Sequence, residues 1–137
     1  MAKIIKIHHV AVVLPEIEGA LGFWQGALGL PLAGVEDVPS QKAAVAFLPA
    51  GESEVELVKP LDADTGLAKF LADKGPGLHH ICFEVDDIDE MLRDLQARGV
   101  RLINPSALAL PGRKAAFIHP KAANGVLVEL YQRVDEK

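Results

Sequence analysis

A chain of 137 residues, half of them apolar, has the size of one compact domain and enough apolar material for a core without disulfides. The net charge is −5 and the 14 Lys and Arg are scattered along the chain, which argues against nucleic acid or an anionic membrane as a partner. The single cysteine, Cys82, cannot close an internal disulfide and suits a reducing, cytoplasmic setting; residues 1–13 predict no signal peptide and every apolar run is too short to span a bilayer.

The first predicted element is a short apolar strand that contains His8 and His9. An acidic turn follows, then an amphipathic helix with Ile17, Ala20, Leu21, Trp24 and Leu28 at helical spacing and Gly29 as its stop. Trp24 reads as core or interface. β-rich segments come next at 43–49 and 54–59, the latter in the run EVELVKP. The stretch DADTGLAKFLADKGPG (62–77) reads as a helix and a Gly/Pro linker. A second strand then begins with His79 and His80, and a second amphipathic helix places Ile88, Met91, Leu92 and Leu95 on one face. Asp86 is its expected N-cap and Gly99 its stop. Two further β-rich segments, 114–119 and 125–131, close the chain, the last in GVLVELYQ.

The chain therefore repeats itself. HHVAVVLPEIEGALGFWQGALGLPL (8–32) lines up with HHICFEVDDIDEMLRDLQARGVRL (79–102), and each half ends on Val-Glu-Leu. Two copies of about 65 residues indicate duplication of one supersecondary unit and not a solenoid. The expectation is a single α+β domain over 1–137, with a βαβββ module at 4–60, a helical linker at 61–77 and a second βαβββ module at 78–132. The third strand of each module is poorly defined in the sequence. Helices would cover one face of each sheet, and the other faces would meet as a cup in a partly closed mixed sheet.

Strand alternation says what lines that cup. His8, Val10 and Val12 share one face; Ile7, His9 and Ala11 share the other. In the second copy His79, Ile81, Phe83 and Val85 lie opposite His80, Cys82 and Glu84. The bulkier apolar faces should pack under the helices, which turns His9 and His80 inward and makes His8 and His79 supporting residues. Glu56 and Glu129 interrupt apolar strands in the same way, and an unpaired carboxylate buried there would be costly. One His and one Glu per repeat would neutralise and ligate a divalent cation while leaving positions open for water or substrate. Taken singly, such residues are commonly hydrogen-bonded core histidines and solvated edge glutamates, so both readings stand at this point. Cys82 reads as a small cup-lining residue, and His119 in FIHPK as a rim residue that either contacts substrate or is structural.

IHHVAVVLP, the LGL after the first helix, GLHHICFEVDDID and FIHPKAANGVLVEL together resemble the methylmalonyl-CoA epimerases of the vicinal-oxygen-chelate (glyoxalase-like) superfamily, over about residues 4–132. The resemblance implies paired βαβββ modules, a homodimer, and a divalent metal, cobalt before manganese, nickel, magnesium or zinc, held by His9, Glu56, His80 and Glu129. It also implies an isomerase acting on an acyl-CoA. Two segments depart from the pattern, QKAAVAFLP and ALALPGRK, and both would border the acyl group.

Epimerisation beside a thioester carbonyl removes one C–H proton and returns one on the opposite face. It calls for a Lewis acid on the carbonyl and a carboxylate in hydrogen-bond reach of each face. Glu129 and Glu56 are the candidate bases, Glu129 ahead because the other position accommodates Gln in relatives. Arg113, Lys114 and Lys121 could meet CoA phosphates or simply be solvated charges. A glyoxalase I-type lactoylglutathione lyase would use the same His/Glu set, and a metal-free binding module of the same fold would need none of it. A ring-cleaving dioxygenase is disfavoured because it has no use for the second carboxylate.

Overall fold

The computed structural model describes residues 1–134. The eight strands and three helices are β1 (Ile4–Val13), α1 (Ile17–Leu21), β2 (Gly34–Val38), β3 (Ala43–Ala50), β4 (Ser53–Pro60), α2 (Gly66–Lys74), β5 (Gly77–Val85), α3 (Ile88–Ala97), β6 (Leu108–Leu110), β7 (Arg113–Ile118) and β8 (Leu127–Arg133). The α+β class and the duplicated βαβββ order follow the sequence expectation. The strand not marked in the sequence is the second of each module and not the third: β2, short and exposed, and β6, only three residues long. No helix among the described residues is long and apolar enough to cross a membrane.

The chain divides into two compact units, His9–His79 and a second made of Met1–His8 with His80 onward. The boundary falls between the two histidines of each His-His pair. In the first unit the strand order is β2-β3-β4-β1, and in the second β6-β7-β8-β5. Each copy thus places its last strand parallel to its first, β4 to β1 and β8 to β5. Within each unit the remaining pairings are antiparallel.

In the first unit the two faces of the sheet carry separate cores. Ala44, Ala46, Leu48 and Leu57 pack with Leu14, Ile17, Ala20, Leu21 and Trp24 on the side of α1. Ala11, Ala43, Val45 and Val58 pack on the other side with Val38, Phe47 and Leu67 of α2. Leu48 and Leu57 are fully buried, and burying side chains of this size stabilises the fold by about 1.5–3 kcal/mol each. Trp24 is a core contact. Leu28 is not: the helix widens into a π-turn over Gly22–Ala27, and Leu28 is 55% exposed. The widening shifts the 3.6-residue phase, so the last apolar residue of the stripe rotates out. Gly29 ends the element at φ +87°, the left-handed conformation the sequence assigned to it.

The second unit has one helix-side core, Val85, Ile88, Leu92, Ala116 and Leu130, with Phe83, Met91, Leu95 and Ile118 against it. Asp87, not Asp86, caps α3: its Oδ1 accepts from the Glu90 N–H at 3.1 Å. Asp86 is committed elsewhere, because its Oδ1 accepts from the Lys3 N–H at 2.8 Å and the Asp86 N–H donates to the Lys3 carbonyl. That backbone bond from Lys3 is the main reason the Asp86 carboxyl titrates below its ordinary value.

Candidate functional site

The parallel pairing inside each unit builds the same local arrangement twice. In the first unit His9 is in register with Glu54 and Ala11 with Glu56. In the second His80 is in register with Leu127 and Cys82 with Glu129. Each histidine therefore sits one diagonal step from its glutamate on the same face of the sheet. The side chains close that gap: His9 Nδ1 lies 3.3 Å from Glu56 Oε2, and His80 Nε2 lies 3.0 Å from Glu129 Oε1. The side chains of His80 and Glu129 are 11% and 8% exposed, and those of His9 and Glu56 7% and 12%. Charged groups so far from water need partners.

A phenylalanine completes each copy. Phe47 on β3 is directly opposite Glu56, and Phe117 on β7 is directly opposite Glu129. The Phe117 ring meets the His80 ring edge-on at 5.7 Å between centroids. This third pair of equivalents, from AVAFLP and AAFIHP, escapes a reading built on His and Glu alone, although both runs end in the same Phe-X-(X)-Pro pattern. It supplies an apolar wall that keeps the carboxylates from free solvent.

The neighbours of the paired histidines behave differently from one another. His79 meets Phe70 of α2 edge-on at 4.9 Å, a supporting role. His8 stacks on Tyr131 at 4.2 Å, and one of its nitrogens lies within 4.8 Å of Cys82 Sγ. Tyr131 and Cys82 share the face of Glu129 by alternation along β8 and by register with it. His8 is therefore packed among that face's residues, next to the site and not in its ligand set.

Glu84, which alternation puts on the His80 side, carries no assigned role in the sequence reading. It is 9% exposed on the His80–Cys82 face, in register with Tyr131. Lys6 Nζ is 3.9 Å from its Oε1, which has no hydrogen-bond partner. Strand alternation alone could have found it, since residues 80, 82 and 84 share a side.

The basic residues sort by their contacts. Lys114 Nζ is bound to Asp89 Oδ2 at 2.8 Å. Arg113 faces Arg133 across the β7–β8 ladder, and Lys121 is exposed. His119 lies just past β7 and caps a short 3-10 turn, Pro120–Ala122, its Nδ1 accepting from the Lys121 N–H at 3.0 Å. Burial, then the Arg101 and Lys121 cations, hold its pKa below 6.5. His119 thus sits beside two cations that disfavour its protonation.

Each buried imidazole–carboxylate pair offers nitrogen and oxygen donors of the sort a divalent ion takes. The donor set fits such an ion.

The sequence profile of the Glyoxalase/Bleomycin resistance protein/Dioxygenase superfamily matches residues 8–117. Mouse mitochondrial methylmalonyl-CoA epimerase is 36% identical over 132 residues, 95% of this chain and 74% of the mouse protein. The ethylmalonyl-CoA/methylmalonyl-CoA epimerase of Cereibacter sphaeroides is 34% identical over 131 residues, 93% of this chain and 97% of that protein. The crystal structure of methylmalonyl-CoA epimerase from Mycobacterium tuberculosis superposes with a TM-score of 0.87 at 32% identity, covering 96% of this chain and 90% of the other. The duplicated His/Glu pairs and these likenesses together place the chain in the methylmalonyl-CoA epimerase family of the glyoxalase-like superfamily, a family of isomerases.

Proposed function

We propose that the chain is a metal-dependent epimerase of a 2-methylmalonyl-type acyl-CoA. The observation that carries this reading is the same His–Glu pair built twice, in equivalent register and burial, in a chain of this family. His9, Glu56, His80 and Glu129 would hold one divalent ion, cobalt first, with manganese, nickel, magnesium and zinc as alternatives. When bound, the ion supplies a Lewis acid that favours negative charge on the substrate's thioester carbonyl oxygen.

The remaining chemistry belongs to the side chains. Glu129 takes the proton at C2, and the C–H electron pair moves toward the thioester carbonyl to give an enolate. A carboxylic acid on the opposite face returns a proton to C2 and completes the inversion. Glu56 is the repeat counterpart of Glu129 and the first candidate for that face. Phe47 and Phe117 keep competing water away from the reacting carbon.

The charge distribution suits a CoA phosphate tail on one unit only. Residues 1–8 and 80–137 contain ten Lys and Arg against nine Asp and Glu; residues 9–79 contain four against ten. Arg113 and Lys121 with Arg101 are therefore the phosphate candidates, while Lys114 is committed to Asp89. A homodimer and a cytoplasmic location complete the proposal.

The test is loss of the C2 proton signal of methylmalonyl-CoA in deuterated buffer, with and without chelator, and after adding back each metal. Exchange that stops on chelation and returns with metal is expected. Undiminished exchange in protein shown to be metal-free would defeat the metal reading. No exchange under any condition would defeat the epimerase reading.

A further inference from the structure

The two units match at His, Glu and Phe and differ elsewhere on the site face, most directly at the strand partner of the histidine. Glu54 is in register with His9, whereas the residue in register with His80 is Leu127. Glu54 also lies two residues before Glu56 on the same strand face, roughly 6.5 Å away along β4. A cavity of about 540 Å³ opens beside it, lined by Ala33, Gly34, Glu36, Phe47 and Glu54. Phe47 is also the residue opposite Glu56, so the cavity and the surroundings of Glu56 share one side chain.

A duplicated ligand set explains the symmetric residues; it does not explain a carboxylate present in one copy alone. Glu56 already has the task of its repeat counterpart, lying 3.3 Å from His9. Glu54 has no such task, is half-buried, and lines an open cavity together with Phe47. Epimerisation needs a base on each face of a planar carbon, and two bases need not be related by the repeat. We infer that Glu54 is the second general base, acting on the face opposite Glu129, and that Glu56 serves as ligand only. The inference rests on the epimerase reading above.

For one epimer, Glu54 removes the C2 proton, the C–H pair stays on the enolate, and the Glu129 carboxylic acid protonates the opposite face. For the other epimer the two residues exchange roles. Each turnover leaves one carboxylic acid and one carboxylate, so the proton count is conserved.

The experiment incubates each pure epimer separately in deuterated buffer with the full-length metal-loaded protein and follows C2 proton loss and epimer interconversion. Glu54→Gln should stop interconversion, with one epimer still exchanging through Glu129 and the other slowed by on the order of 10²–10⁴. Its metal content should equal that of the parent, and Glu54→Asp should recover part of the lost exchange. Glu36→Gln, on the same cavity, should stay within a few-fold of the parent for both epimers. Parental interconversion by a metal-loaded Glu54→Gln would overturn the assignment, as would loss of metal together with exchange of both epimers. A parent that exchanges neither epimer would instead sink the underlying epimerase reading.

Discussion

Glu129→Gln is the sharpest test of the site. The carboxylate is 8% exposed with its Oε1 3.0 Å from His80 Nε2, so the change exchanges a buried anion for a neutral amide of the same shape. The amide oxygen can still accept from an imidazole N–H and can still ligate a cation, but it cannot take a proton. Losing a positioned general base costs on the order of 10²–10⁴ in rate, which corresponds to about 2.7–5.4 kcal/mol of barrier. Fold stability should change much less, because replacing the anion also removes the penalty of keeping it from water. The assay pairs epimer interconversion, followed by proton resonance at C2, with elemental analysis of the same sample. The expected result is a well-folded variant with substantial metal and interconversion at least a hundredfold slower. Interconversion within a few-fold of the parent, with metal bound, would refute Glu129 as a base.

The other predictions concern ligation, packing and pH. Saturating metal at 100 times its dissociation constant should stabilise the parent by about 2.7 kcal/mol. His80→Ala should lose most of that Tm shift and His79→Ala, which packs on Phe70, should keep it; equal losses would show that the wrong histidine was assigned. Leu57→Ala empties a fully buried position in the α1-side core and should lower the unfolding free energy by about 2–5 kcal/mol, read from the urea midpoint. His119 has a folded pKa below 6.5, so between that value and 6.5 the unfolded chain binds more protons than the folded one. Its contribution to stability is therefore complete above pH 6.5 and is lost as pH falls through that window. His119→Gln should flatten this part of the profile, and the His119 ring resonances should titrate below 6.5.

What the sequence disclosed depended on whether a residue's environment is set locally. Strand alternation and the repeat identified His9, Glu56, His80 and Glu129, and the structure pairs them as His–Glu within each copy. Gly29 and Gly99 both take the left-handed backbone expected at helix ends. Asp86 was mistaken for the cap because two adjacent aspartates compete, and the choice is made by Lys3, 83 residues away in sequence. Leu28 was misplaced by a π-turn that no 3.6-residue template anticipates. His8 depends on Tyr131, more than a hundred residues further along. Glu84 falls on the His80 side by alternation alone, but it has no counterpart in the first copy to mark it.

The boundary within each His-His pair bears on how the molecule is made. The unit His9–His79 is contiguous, so it can form as soon as its own residues have left the ribosome. The other unit cannot: its opening segment, Met1–His8, waits for His80 onward. Joining those ends spans the whole intervening unit, and closing a flexible loop of some 70 residues would cost about 4 kcal/mol of chain entropy. A folded His9–His79 segment shortens the effective loop and removes much of that cost. Vectorial synthesis therefore favours one order of events, with the N-terminal octapeptide the last stretch of β1 to find its neighbours.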